Sequence, residues 1–253
     1  MLHIHHFGDE HGTPVIALHG LTGHGGRFRT LTENHLPGVR VHAPDLRGHG
    51  QSTTHPPWTL EQHAADILDV LDHLELPRAV IVGHSLGATI AVHLARLAPG
   101  RVERLVLLDP GIGLPPAVAE QRADGVLDPP TFDTPEQASE QTARHWPPEA
   151  SGLVDAEIRD HLVQQIDGRW RFRFSVPMVA ATYSELARPA VTPPAGTDTT
   201  LVVALRSKAV PPGYAGMCRD ALNKDFRLVE LDSGHQVHLE RPAEVAALIT
   251  GKD

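Results

Sequence analysis

The chain has 253 residues and a formal net charge of −9, with 22 Lys and Arg dispersed among 31 Asp and Glu and 18 His. That balance leaves no basic footprint for nucleic acid or an anionic membrane surface, and the single cysteine, Cys218, cannot close an intramolecular disulfide. The opening Met1-Leu2-His3-Ile4-His5-His6 has neither a basic n-region nor an apolar h-region, so a cytoplasmic protein is expected, long enough for one self-supporting domain with an elaboration.

In chain order, β-rich runs are predicted at 2–7, 15–18, 39–42, 79–82, 104–108, 200–205 and 226–231. Most are continuously apolar, as strands buried on both faces of a parallel sheet must be. Between them lie helical patterns. Residues 59–74 carry Leu60, Ala64, Ile67, Leu68, Leu71 and Leu74 at helical spacing behind a Thr59/Gln62 capping box, and 241–249, with Pro242 near its start, reads as a closing helix. The apolar stretch 79–97 is interrupted by His84, Ser85, His93 and Arg96, which fits a buried strand and helix and not a membrane span. Alternation of strand and helix predicts a doubly wound, mostly parallel α/β sheet whose binding sites lie at the carboxyl ends of the strands.

The alternation stops near Gly111 and resumes near Thr200, across an interval dense in proline pairs. Residues 111–196 are therefore expected to form a mainly helical cap inserted after the sixth core strand, with 1–110 and 197–253 as the core. Inside it, Arg169-Trp170-Arg171-Phe172-Arg173-Phe174 alternates without a break. Extended backbone would put three aromatics on one face and three arginines on the other. Two uses of that pattern stay open: an apolar wall for substrate with arginine available to an acidic group, or an aromatic anchor for the cap with the arginines solvated. Trp170, Phe172, Phe174 and Met178 are the candidate substrate-binding residues.

Chemistry is carried by Gly83-His84-Ser85-Leu86-Gly87, placed between a predicted strand and a predicted helix. That context is a nucleophile elbow, in which a sharp turn lifts the serine hydroxyl and only small neighbours fit the crowded backbone. A serine hydroxyl needs a base to take its proton and donors to stabilise the oxyanion. No Gly-x-Gly-x-x-Gly or Gly-Lys-Ser/Thr fingerprint occurs and no His-Glu-x-x-His. His3 and His5 would share one face of an extended strand, yet a histidine-rich surface explains them, so neither cofactor nor metal is expected.

Three more segments complete a pattern: His19-Gly20-Leu21-Thr22-Gly23, Asp45-Leu46-Arg47-Gly48-His49-Gly50-Gln51-Ser52, and Gly234-His235 with Glu240-Arg241-Pro242. With the Ser85 elbow, in this order, they resemble the α/β-hydrolase fold family over about residues 1–110 and 197–253. The resemblance implies Ser85 as nucleophile and His235 as general base, a role that suits a side chain titrating near neutrality. It implies an oxyanion hole from the backbone N–H groups of Leu21 and Leu86, and a structural role for the Asp45–Ser52 loop. The usual position of the triad acid, after the strand at 200–205, reads Arg206-Ser207-Lys208-Ala209-Val210-Pro211 and has no carboxylate. Asp109, ending the preceding strand, is the candidate; Asp232 lies too close to His235 in sequence and Asp198 precedes its strand.

A serine at position 85 disfavours the family's carboxylate-nucleophile dehalogenases and epoxide hydrolases. The expected reaction is hydrolysis of a small, apolar carboxylic ester through an acyl-enzyme. A carbon-carbon bond hydrolase, a cofactor-free haloperoxidase or perhydrolase, and a low-turnover ligand-binding module on the same fold remain alternatives. The expected partner is a small molecule, with no nucleic acid and no membrane, and the chain a monomer or homodimer.

Overall fold

A computed structural model describes residues 1–251. Strand β1 (Ile4–Gly8) and β2 (Thr13–Leu18) open the chain, followed by helix α1 (Arg29–His35) and β3 (Val39–Pro44). Helix α2 (Leu60–His73), β4 (Ala79–His84), α3 (Leu86–Leu97) and β5 (Val102–Leu108) continue the alternation. The sheet is completed much later by β8 (Thr199–Ala204), α8 (Tyr214–Leu222), β9 (Phe226–Leu231), the short α9 (Val237–Glu240) and α10 (Pro242–Thr250). Strand order is β1-β3-β2-β4-β5-β8-β9, parallel throughout except for β1, which runs antiparallel to β3.

The strands read as continuously apolar because each face of the sheet has its own core. Ile16, Ile81, Leu105 and Leu107 point into one, with α2, α3 and α8, while Val15, Val80, Val82, Val106 and Leu108 point into the other, with α1 and α10. Period-2 alternation thus survives as a choice between two apolar layers. Each fully buried Leu or Ile in these layers contributes about 1.5–3 kcal/mol. Thr59 caps α2 by accepting from Gln62 N–H at 3.2 Å, but the Gln62 side chain turns to Asp66 at 3.0 Å, so only half of the predicted capping box forms.

Residues 111–196 run from the end of β5 to the start of β8. They hold α4 (Pro116–Val126), α5 (Pro135–His145), α6 (Val154–His161), the hairpin strands β6 (Leu162–Gln164) and β7 (Trp170–Phe172), and α7 (Val176–Leu186). The strand preceding this segment is the fifth of the sheet, not the sixth: only five extended runs come before Gly111, and all five are in the sheet. A small cluster of Phe132, Ala138 and Leu162, packed by Ile158, Trp170 and Phe172, is the segment's own apolar centre. The segment is attached to the core by both apolar and polar contacts: Ile112 and Leu186 join the layer of α2, α3 and α8. Glu157 of α6 is buried against the core, paired with Arg27 at 2.6 Å and His24 at 3.0 Å. Burial pushes the Glu157 carboxyl up, but the Arg27 charge and the hydrogen bonds from His24 and Arg27 outweigh it and hold it well below the usual range. No helix among the described residues is long and apolar enough to cross a membrane.

Candidate active site

Ser85, Asp109, His235 and Leu21 all stand just beyond the carboxyl ends of sheet strands. Ser85 links β4 to α3 with φ +52° and ψ −115°, a conformation that costs a non-glycine residue roughly 1–3 kcal/mol unless its surroundings impose it. They do. Ser85 N–H donates to Leu108 O at 3.0 Å, a Cβ on Gly83 would lie 2.4 Å from Gly87 O, and one on Gly87 would lie 2.2 Å from Leu18 O. Both glycines are therefore demanded by backbone contact, and the hydroxyl is left partly exposed above the sheet.

His235 Nε2 lies 2.9 Å from Ser85 Oγ, and His235 Nδ1 lies 2.6 Å from Asp109 Oδ2. A carboxylate only accepts, so Nδ1 carries the proton and Nε2 is free to accept from the hydroxyl. Asp109, with φ +46°, is held at the end of β5: its N–H donates to Val202 O at 2.8 Å, and Oδ1 accepts from Ala204 N–H at 3.2 Å. Its side chain is 1% exposed, against 38% for His235. Asp232 is turned away from the imidazole and paired with Arg206 at 2.5 Å.

Two positioning residues, His84 and Glu240, lie inside motifs quoted above but were given no role there. His84 Nε2–H donates to the His235 carbonyl at 2.7 Å, which pins the backbone that carries the imidazole. Burial, with His238 and His235 adjacent, pushes the His84 pKa well below its ordinary value, so it is neutral near pH 7. Glu240 accepts from Gly234 N–H at 2.8 Å and pairs with Arg206 at 2.7 Å, fixing the turn before His235. The only sequence signals were the histidine inside the elbow and a glutamate six residues after Gly234.

The loop that carries Leu21 is set by histidines. A Cβ on Gly20 would lie 3.2 Å from Ser85 Cβ, so this loop abuts the elbow. Thr22, with φ +61°, donates its N–H to His49 Nε2 at 3.1 Å, and its carbonyl accepts from His161 Nε2–H at 3.1 Å. His19 fixes the same loop by donating Nδ1–H to Gly20 O at 2.7 Å and accepting from Leu46 N–H at 2.9 Å. Burial pushes the His49 and His161 pKa values to about 3, so both stay neutral and keep these tautomers. Leu86 is the first residue of α3, where an N–H has no partner inside the helix.

The Asp45–Ser52 loop is structural. Asp45 accepts from Gly25 N–H at 2.8 Å, Gln51 N–H at 2.9 Å and His5 at 3.0 Å, and Arg47 forks onto Asp66 at 2.6 and 2.7 Å. His3, His5 and Asp45 bring one potential ligand atom each within 4.8 Å of one another, but the carboxylate is already committed to these donors.

Of the candidate substrate-binding residues, Trp170 and Phe172 sit in the segment's apolar cluster, Phe172 edge-on to Phe132 at 5.8 Å. Met178 is fully buried beneath Gly48. Trp170 and Phe172 anchor the hairpin in that cluster, while Met178 belongs to α7 and packs under the Gly48 turn. Phe174 lines a cavity of about 290 Å³ beside Gly48 and Gly50. The predicted strand over 169–174 is real only for Trp170–Phe172, because the chain then leaves β6 and Phe174 bridges to His49.

Residues 13–242 match the model of the alpha/beta hydrolase fold family, and the chain belongs to that family. Among curated relatives, it is 38% identical to "Lipase LipV" of Mycobacterium tuberculosis, covering 99% of this chain and 97% of that one. It is 25% identical to "Esterase YbfF" of Escherichia coli, over 95% and 92% of the two chains. Among solved structures, an E-2-(acetamidomethylene)succinate hydrolase superposes with a TM-score of 0.84 at 22% identity, covering 99% of this chain and 94% of that one, which bears on the fold alone.

Proposed function

We propose that the protein is a serine hydrolase that cleaves small carboxylic esters, with Ser85, His235 and Asp109 as its triad. The observation that carries this reading is the continuous hydrogen-bonded line from hydroxyl to imidazole to buried carboxylate. The names of the lipase and esterase relatives agree with it.

In the proposed reaction His235 Nε2 takes the Ser85 proton as Oγ bonds to the ester carbonyl carbon, and the carbonyl oxygen becomes an oxyanion facing the N–H groups of Leu21 and Leu86. The oxyanion collapses, the carbon–oxygen bond to the alcohol breaks, and the imidazolium gives its proton to the departing oxygen. Water then attacks the acyl-enzyme, losing its proton to His235, and the acid leaves as Ser85 recovers a proton. Asp109 keeps Nδ1 protonated and stabilises the imidazolium. Residues 111–196 act as a cap whose α6 supports the oxyanion loop through His161.

A fluorophosphonate probe, with a panel of nitrophenyl esters of increasing acyl length, tests the reading. Labelling and turnover that both vanish in Ser85→Ala support it. A wild-type chain that neither labels nor turns over any ester overturns it.

A further inference from the structure

The alternating segment leaves a second feature that the triad does not use. Arg171 and Arg173 line the cavity of about 290 Å³ near Gly48 and Gly50. The Nε atoms of both are buried and have no hydrogen-bond partner. No carboxylate among the described residues lies within ion-pair distance of Arg173, and Arg171 has only Asp167 at 3.8 Å, with both side chains substantially exposed. Arg169, on the same face of the segment, has a similar exposed partner, Asp133 at 3.7 Å, but also donates to Thr131 O at 3.1 Å. The idea that all three arginines are merely solvated therefore fails for Arg173 and, at its buried Nε alone, for Arg171.

Buried donors are normally paired, and a buried N–H left without an acceptor costs free energy. In a chain of net charge −9, two arginines lining one cavity with no Asp or Glu in its wall are a departure from the surface average. The rest of the wall is mainly apolar, including Pro129, Val163, Phe174 and Val176. The volume is at the lower end of small-molecule sites, ~300–1,000 Å³. A planar guanidinium recognises a carboxylate by parallel N–H bonds, and the apolar wall suits a hydrocarbon body.

We infer that this cavity is a binding site for an organic carboxylate with an apolar body, held by Arg171 and Arg173. The ligand is either the acidic end of the ester that Ser85 hydrolyses or a separate fatty-acid-like molecule; the recognition chemistry is shared. The wall also connects to the reaction site. Gly50 N–H donates to Arg173 O at 2.8 Å, and the intervening His49 holds the Thr22 turn.

The test is calorimetric titration of octanoate, with 1-octanol as the neutral control, into the full chain carrying Ser85→Ala. This arm needs no turnover, so its result is independent of the hydrolase reading. Saturable binding of octanoate but not octanol is expected, weakened tenfold or more by Arg173→Gln and by Arg171→Gln. Arg173→Lys, which keeps the charge and loses the fork, falls between. No octanoate binding at millimolar concentration, equal binding of octanol, or wild-type affinity in folded Arg173→Gln would each overturn the site. A second arm finds the source of the carboxylate, using the mono-nitrophenyl ester of suberic acid and neutral nitrophenyl octanoate on protein with Ser85 intact. A higher KM for the acidic ester alone in Arg173→Gln identifies a substrate acid; unchanged kinetics with lost octanoate binding identifies a separate ligand.

Discussion

Around Ser85, the hydroxyl, the imidazole, the Asp109 carboxylate and the His84 ring behind them are joined by hydrogen bonds. On the 169–174 hairpin, by contrast, two arginine Nε atoms are buried with nothing to receive them. The first region is built on strand ends packed between two large apolar layers; the second rests on a cluster of three buried residues and a few partners. A reaction site gains from groups already in place before substrate arrives. A recognition site can leave its donors waiting for the ligand that completes them.

The contrast is broken most forcefully at the triad acid. Asp109→Asn is expected to lower kcat roughly 10⁴-fold by presenting the wrong tautomer, while Asp232→Asn, altering a carboxylate paired with Arg206, leaves kcat within about twofold. Steady-state rates on one ester decide it; equal effects would move the acid elsewhere.

Stability should divide along the same line. Gly87→Ala drives a methyl into the β2 backbone and is expected to cost about 3 kcal/mol or more by denaturant unfolding, whereas Gly168→Ala at the hairpin turn, which meets no atom but has φ +84°, costs only ~1 kcal/mol.

Acid sharpens the difference further. His49, His161 and His238 have folded pKa values pushed by burial to about 3, against 6.5 when unfolded. Between those values the unfolded chain binds more protons, so the stability these groups confer is complete above pH 6.5 and is lost as pH falls towards 3. Each imidazole accounts for up to about 1.4 kcal/mol per pH unit. Tm should fall steadily from pH 7 to pH 5, and a flat profile in calorimetry would show that these rings protonate without unfolding.

The smaller effects separate positioning from packing. His84→Phe, which loses the donor to His235 O, should reduce kcat about tenfold and change the pH–rate profile, while His84→Gln, which keeps a donor, recovers part of it. Phe172→Ala should cost ~1–2 kcal/mol of stability, less than a fully buried aromatic because the side chain is only partly buried, with kcat on a short ester nearly unchanged.

The sheet was readable from residue order because both of its faces are buried: runs such as Leu105-Val106-Leu107-Leu108 can satisfy two apolar layers only as central strands. The elbow was readable for a similar reason, since Gly83, Ser85 and Gly87 answer steric demands local to one turn. Whether Asp109 faces His235 was not, because 126 residues separate them and their meeting depends on β5 lying beside β8. Nor could periodicity say which arginines of 169–174 would be solvated. That depends on where β6 ends and where Gly48 and Gly50 close over Arg173, contacts between distant parts of the chain that alternation along one segment does not encode.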